Sequence, residues 1–345
     1  MNKLNTWLLK NIFWILLYLA ISGLLFQFVD ILNFKQDSFI KWIYLFFDFS
    51  YTDLKFFDLE VFTFKRNLVD GSYYFKSYLD IVFYLLFIIS VVVYKLSNYR
   101  ETKVIKFCLS IISLFTILSF LYQVYILFIF FELKGFLGIL FLLKAVLTFY
   151  VCYFYLKTWK LEREYIQSEE NQLSDFKTFQ LKPASKWKRL AHHIIDVFLI
   201  LCIFSKNLFD FYIRTLIQDF QSLVGENIAG WIIFFVFTTT YYLIFEALFK
   251  ATPAKYLTQT SVVSLDKKPV SFLNILGRTL SRKIPFEGFS FLGKLGLHDS
   301  LSKTTVADQV KEPSQYKVFY FVFITLCVLF FLYEILVVFH FIHGF

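Results

Sequence analysis

Arg189, His192, His193 and Asp196 stand at intervals of three, four and seven residues, a spacing that puts side chains on one face of a helix. The run Leu190–Phe209 that follows Arg189 is apolar enough to enter a bilayer. At 1.5 Å per residue Asp196 then lies about 10 Å deeper than Arg189. A carboxylate in a membrane helix costs roughly 2.5–3.5 kcal/mol on insertion scales, so it must face protein, water or a cation. Asp196 is therefore a candidate site for a proton or a monovalent cation. His192 or His193, which titrate near neutral pH, are the candidate relays, and Arg189 is a competitor for the same carboxylate. The same spacing also serves a structural tether in which Arg189 simply neutralises Asp196.

Other polar residues fall around the end of a second apolar run, Ile228–Phe249. Glu246 stands in its last turn and adds a second candidate carboxylate. Thr252, Pro253, Ala254 and Lys255 follow, and Pro253 must break the helix while holding Thr252 extended. Thr260–Ser264 reads as extended and is expected to pair with Lys303–Val306 in a small sheet. Ser271–Ile284 has two stripes at a spacing of four. Phe272, Leu276, Leu280 and Ile284 make one, and Asn274, Arg278 and Arg282 make the other. That pattern predicts an amphipathic helix lying in the inner-leaflet interface with its basic face toward anionic lipid. His298 and Asp299 complete the set. Lys144 and Glu334, in two further apolar runs, lie at similar depth and are a candidate intramembrane ion pair.

The elements that must position these residues are apolar. Hydrophobic residues make up 58% of the 345-residue chain, charged residues only 18%, and mean hydropathy is +0.62. A soluble protein would lack the polar surface to cover so much apolar side chain, so the expected fold is an all-α polytopic membrane protein. At about 20 residues per span, seven transmembrane helices are expected: Ile12–Val29, Tyr78–Leu96, Phe107–Phe131, Phe136–Tyr155, Leu190–Phe209, Ile228–Phe249 and Lys317–Phe341. Connections on one side hold 23 Lys and Arg residues against 8 on the other. The positive-inside rule therefore puts the N-terminus and the 250–316 loop in the cytoplasm and the C-terminus outside. Cleavage of the first span as a signal peptide after Ala20-Ile21-Ser22 would leave the rest of that topology intact. The expected organisation is an N-terminal membrane region at 1–156, a charged cytoplasmic linker at 157–182, a membrane domain with its loop at 183–310, and a last span at 311–345.

The net charge of +9 fits this topology, since no basic stripe is interleaved with exposed aromatics and no nucleic-acid partner is implied. Cys108, Cys152, Cys202 and Cys327 all lie in apolar runs without metal-ligand or disulfide spacing. Ser290 in Phe286-Glu287-Gly288-Phe289-Ser290-Phe291-Leu292-Gly293 lacks the glycine two residues on and the strand–turn–helix context of a nucleophile elbow. His340 and His343 are too few for a metal site. No phosphate loop, zincin or haem-attachment motif appears, so neither an enzyme nor a cofactor is expected.

Arg189-x-Ala191-x4-Asp196, Thr252-Pro253-Ala254-Lys255, Arg278-Thr279-Leu280-Ser281-Arg282 and His298-Asp299-Ser300-Leu301-Ser302 occur in an order and spacing that resemble the RDD family. Those are bacterial membrane proteins named for an arginine and two aspartates, which the motifs place at Arg189, Asp196 and Asp299. The resemblance covers residues 183–310 and leaves out the first four spans and the last. It departs at Ala254, where the family commonly has glycine, so a turn needing positive φ would be strained here. It implies a multi-pass protein of the bacterial cytoplasmic membrane and, for some members, cation/proton antiport. The alternative is a non-transporting scaffold in which Arg189–Asp196 and Arg278/Arg282–Asp299 are clasps docking the 250–316 loop.

Overall fold

The computed structural model describes residues 3–31, 47, 49, 79–129, 138–158, 183–207, 219–265, 270–284, 296–308 and 325. The expected span Lys317–Phe341, Glu334 of the proposed pair with Lys144, and most of the 30–77 segment and of the linker lie outside the described residues. So do Ser290, His340 and His343.

In chain order the elements are α1 (Lys3–Lys10), α2 (Ile12–Ile31), α3 (Leu79–Leu96), α4 (Lys103–Ile129), α5 (Gly138–Thr158), α6 (Lys186–Asn207), α7 (Glu226–Phe249), α8 (Pro253–Leu257), β1 (Thr260–Ser264), α9 (Phe272–Ser281), α10 (Leu297–Leu301) and β2 (Thr304–Asp308). Among the described residues three helices, over Lys103–Tyr125, Gly138–Thr158 and Asn227–Phe249, are long and apolar enough to cross a membrane. A fourth span results if Leu4–Lys10 and Ile12–Phe28, bent by 72° at their junction, count as one. Large apolar side chains such as Trp14, Phe128, Leu143 and Trp231 point outward, as they do when lipid is the solvent.

α2 packs on α3 and α3 on α4. Their shared core, with Leu16, Tyr84, Phe87, Ile105, Leu109 and Phe115 fully buried, continues without a break into Phe245, Phe249, Ala251 and Tyr256 of the C-terminal half. The joint is α8. This short helix lies between α4 and α6, with Pro253, Ala254, Lys255 and Tyr256 buried. Pro253 takes the first helical position, where its missing N–H costs nothing. Thr252 before it is extended, φ −81° and ψ 165°. Ala254 is helical, so the turn needs no glycine there. The left-handed residues of this region are instead Lys250, which ends α7, and Gln259.

β1 and β2 form an antiparallel pair in which Val262 faces Val306 and Ser264 faces Thr304. The pairing agrees with the sequence reading, except that Lys303 is a left-handed turn residue before the strand, and β2 runs on two residues to Asp308. Ser271 caps α9 in a reciprocal capping box with Asn274.

The close approach of α2 to α3 sets one requirement. A Cβ on Gly23 would fall 2.0–2.4 Å from ring carbons of buried Tyr84. Gly23→Val should therefore destabilise the solubilised protein by roughly 1–3 kcal/mol through overpacking. A second change, Tyr84→Ala, should recover part of the loss in a thermal unfolding series.

Candidate functional site

The polar residues singled out in the sequence converge where α6, α7, α8, α9 and α10 meet. Asp196 is 1% exposed. Its Oδ1 accepts from Tyr241 Oη and its Oδ2 from Thr252 Oγ1, both at 2.8 Å. Thr252 holds the N-cap position of α8, yet it makes no cap bond and turns its hydroxyl to Asp196 instead. Among the described residues no lysine or arginine pairs with Asp196. The expected Arg189–Asp196 contact is therefore corrected. Arg189 reaches Asp299 Oδ2 at 3.0 Å and Thr305 Oγ1 at 3.3 Å, because α10 and β2 close over the start of α6.

The other two carboxylates are surrounded by cations. Asp299, fully buried, accepts from Arg278 Nη1 as well as from Arg189. Arg278 Nη1 also reaches Thr304 Oγ1 at 2.9 Å, while its Nε lies 3.3 Å from Glu246 Oε2. Glu246 Oε1 accepts from Lys255 Nζ and, at 2.7 Å, from Arg282 Nη2. The Arg282 guanidinium also stacks on the Tyr242 ring at 4.2 Å. Arg278 thus bridges Glu246 and Asp299, and one ionic chain ties five elements together. Arg282 pairs with Glu246 and not with Asp299. The basic stripe of α9 is turned into the protein, which corrects the expectation that it faces lipid headgroups.

The histidines divide. His192 is buried, its Nε2 hydrogen-bonded with Thr258 Oγ1 and, at 3.1 Å, with Thr260 Oγ1, away from Asp196. His193 is exposed. His298 Nε2 lies 3.3 Å from Asp299 Oδ1. Lys144 lies over the rings of Phe49 and Phe141 at 5.3 and 5.4 Å. Sequence reasoning missed Tyr241, Tyr242, Thr304 and Thr305. The signal for the first two was the run Thr238-Thr239-Thr240-Tyr241-Tyr242, five hydroxyls within an otherwise apolar helix.

Asp299 and Lys255, outside the spans, have shifted acidities that bear on this cluster. Burial would raise Asp299, but Arg278, His298 and Arg189 outweigh it and hold the carboxyl below its usual value. Burial lowers Lys255 to about 8. Glu246 opposes that fall, while the nearby Arg282 and Arg278 add to it.

Residues 183–342 match the model of the RDD family. The match runs past residue 310 and so takes in most of the last apolar stretch, beyond the motif-based boundary. No curated protein and no solved structure matches the chain.

Removing one member of a buried pair leaves the other charge uncompensated. Arg278→Met and Asp299→Asn should each cost about 3–5 kcal/mol. The double variant should cost clearly less than the sum, read from denaturation of the purified protein in detergent. Lys255 gives a pH dependence of known sign. Its folded pKa of about 8 lies below the 10.5 of an unperturbed lysine. The unfolded chain then holds more protons, so stability should rise as pH climbs from about 8 to 10.5. Unfolding curves across that window should lose this rise in Lys255→Met.

Proposed function

Because the chain belongs to the RDD family through residues 183–342, we propose that its charged motif residues act as a clasp in a membrane scaffold or assembly module. The observation that supports this is the number of cations held against Glu246 and Asp299. Each takes at least two cationic partners, Arg278 serves both, and all three are buried at 1% exposure or less. Carboxylates held this way are poor sites for a moving ion, because displacing a guanidinium from a buried pair costs several kcal/mol. They are well suited to fixing the 250–308 segment against α6 and α7. The clasp lies at the cytoplasmic side of a seven-span, N-in and C-out protein of the bacterial cytoplasmic membrane, beside anionic inner-leaflet lipid.

A second reading, cation/proton transport through Asp196, rests on a separate observation. Among the described residues Asp196 is hydrogen-bonded by neutral hydroxyls and by no guanidinium, with the charges of Lys255 and Arg282 acting on it only from further off, so a proton or a monovalent cation would displace no bound cation there. In this reading Tyr241 and Thr252 are the coordinating hydroxyls. Of its candidate relays, His192 is bound to Thr258 and Thr260, and His193 is exposed.

One experiment separates the two. Inside-out vesicles from a host lacking its own antiporters are energised, Na⁺, Li⁺ or K⁺ is added, and the pH gradient is followed at matched protein level. The scaffold reading expects no cation-dependent collapse in the wild type. It also expects a several-fold lower membrane level for Asp299→Asn, as buried destabilisation feeds degradation. Collapse in the wild type that Asp196→Asn abolishes would replace it with transport.

A further inference from the structure

α7 is a ruler for depth. Its 24 residues span about 36 Å at 1.5 Å each, enough to cross the hydrocarbon core. α9 packs along α7, and its contacts read off the height. At its start, Lys250 Nζ, just past the end of α7, donates to Val270 O at 3.3 Å. In its last turn Arg278, and just past it Arg282, meet Glu246 in the last turn of α7. At its far end, Lys283 Nζ donates to Thr238 Oγ1 and lies 5.9 and 5.3 Å from the Phe234 and Phe235 rings. Thr238 stands eleven residues before Phe249, about 16 Å along the helix axis. α9 therefore runs antiparallel to α7, and just past its C-terminal end the Lys283 side chain reaches up to the level of the middle of α7.

The outward face of α9 has the polarity of a membrane surface. Every charged side chain of 271–284 is turned inward or half-buried against α7. Those left exposed are Ser271, Phe272, Leu273, Gly277, Leu280 and Ile284. A helix over water carries the opposite pattern. The backbone also suits lipid. Ser271 and Asn274 cap the lower end, and at the upper end the Lys283 and Ile284 amides bond to Leu280 and Ser281 carbonyls at 2.9 and 3.2 Å.

We infer that α9 is a re-entrant helix, inserted into the leaflet at the C-terminal end of α7, with lipid acyl chains covering Phe272, Leu273, Leu280 and Ile284. That leaflet is the cytoplasmic one by the distribution of Lys and Arg. A helix lying flat in the interface would turn its arginines to phosphates and hold its apolar residues at a single depth. Here the arginines are bound to Glu246, and the apolar residues form a line that rises with α7.

The test places single nitroxide labels at Leu273, Leu280 and Ile284 in a background with Cys108, Cys152, Cys202 and Cys327 replaced, reconstituted in phosphatidylethanolamine–phosphatidylglycerol vesicles. Power saturation compares oxygen with a water-soluble nickel chelate. The expected ratio of oxygen to nickel access rises from Leu273 to Leu280 to Ile284, and the end positions differ in depth by up to about 16 Å. Equal depths at the three sites would overturn the inference in favour of a flat helix. High nickel access at all three would place α9 in water. If the cysteine-free chain does not stay monodisperse, Leu273→Trp and Ile284→Trp in a chain that keeps its cysteines but has its six native tryptophans replaced by Phe give the same ordering. Quenching by lipids brominated deep in the chain should then be stronger at position 284, and equal quenching would refute the model. The readout is independent of whether the protein moves ions.

Discussion

A charge placed where water cannot reach must find its counter-charge inside the protein, and Glu246 imposes that constraint on everything around it. It stands in the last turn of α7, fully buried. Its neutralisation requires Lys255 from the next turn of chain and Arg278 and Arg282 from a helix more than twenty residues on. Arg278 then carries an excess that Asp299 absorbs, and Asp299 in turn takes Arg189 from α6. The path of the chain after α7 follows from this sequence of obligations. α8 must turn back at once, α9 must climb along α7, and α10 must close beneath both.

The apolar part of the same segment performs a second task. α8 presents Pro253, Ala254 and Tyr256 to α4 and α6, joining the family-like half to helices that carry no family motif. Ala254 is fully buried and helical, so its small side chain answers a packing need at a crowded joint. Positive φ plays no part at this position.

Much of this was legible in the sequence because it depended on local chemistry. Pro253 after Thr252 fixed a break and an extended residue, and the extended reading of Thr260–Ser264 with Lys303–Val306 as its partner located the sheet to within two residues. The family-like motifs and the polar intrusions into apolar runs singled out Arg189, Asp196, Glu246, Arg278 and Asp299. What could not be read was which partner each would take. Arg189 and Asp196 share a helical face, and that proximity along the chain suggested a pair. The structure gives Arg189 to Asp299 and gives Asp196 two hydroxyls, because elements more than forty residues away arrive between them. Pairing across such separations is a property of tertiary packing, for which spacing on one helix carries no information.

The amphipathic pattern of α9 shows the same limit in its sharpest form. Periodicity establishes that Asn274, Arg278 and Arg282 lie on one side and Phe272, Leu276 and Leu280 lie toward the other. It does not say which side faces the protein. In water the apolar stripe would turn inward, and a peripheral membrane helix would offer its arginines to phosphate. Both alternatives were available to these residues until Glu246 was placed beside them. A carboxylate buried at the end of α7 leaves the arginines no cheaper destination than the protein interior, since leaving Glu246 unpaired costs more than dehydrating its partners. Once the charges turn inward, Leu273, Leu280 and Ile284 must turn outward, and only a surrounding apolar medium spares them contact with water. The membrane environment of α9 is in this sense a consequence of one carboxylate on another helix.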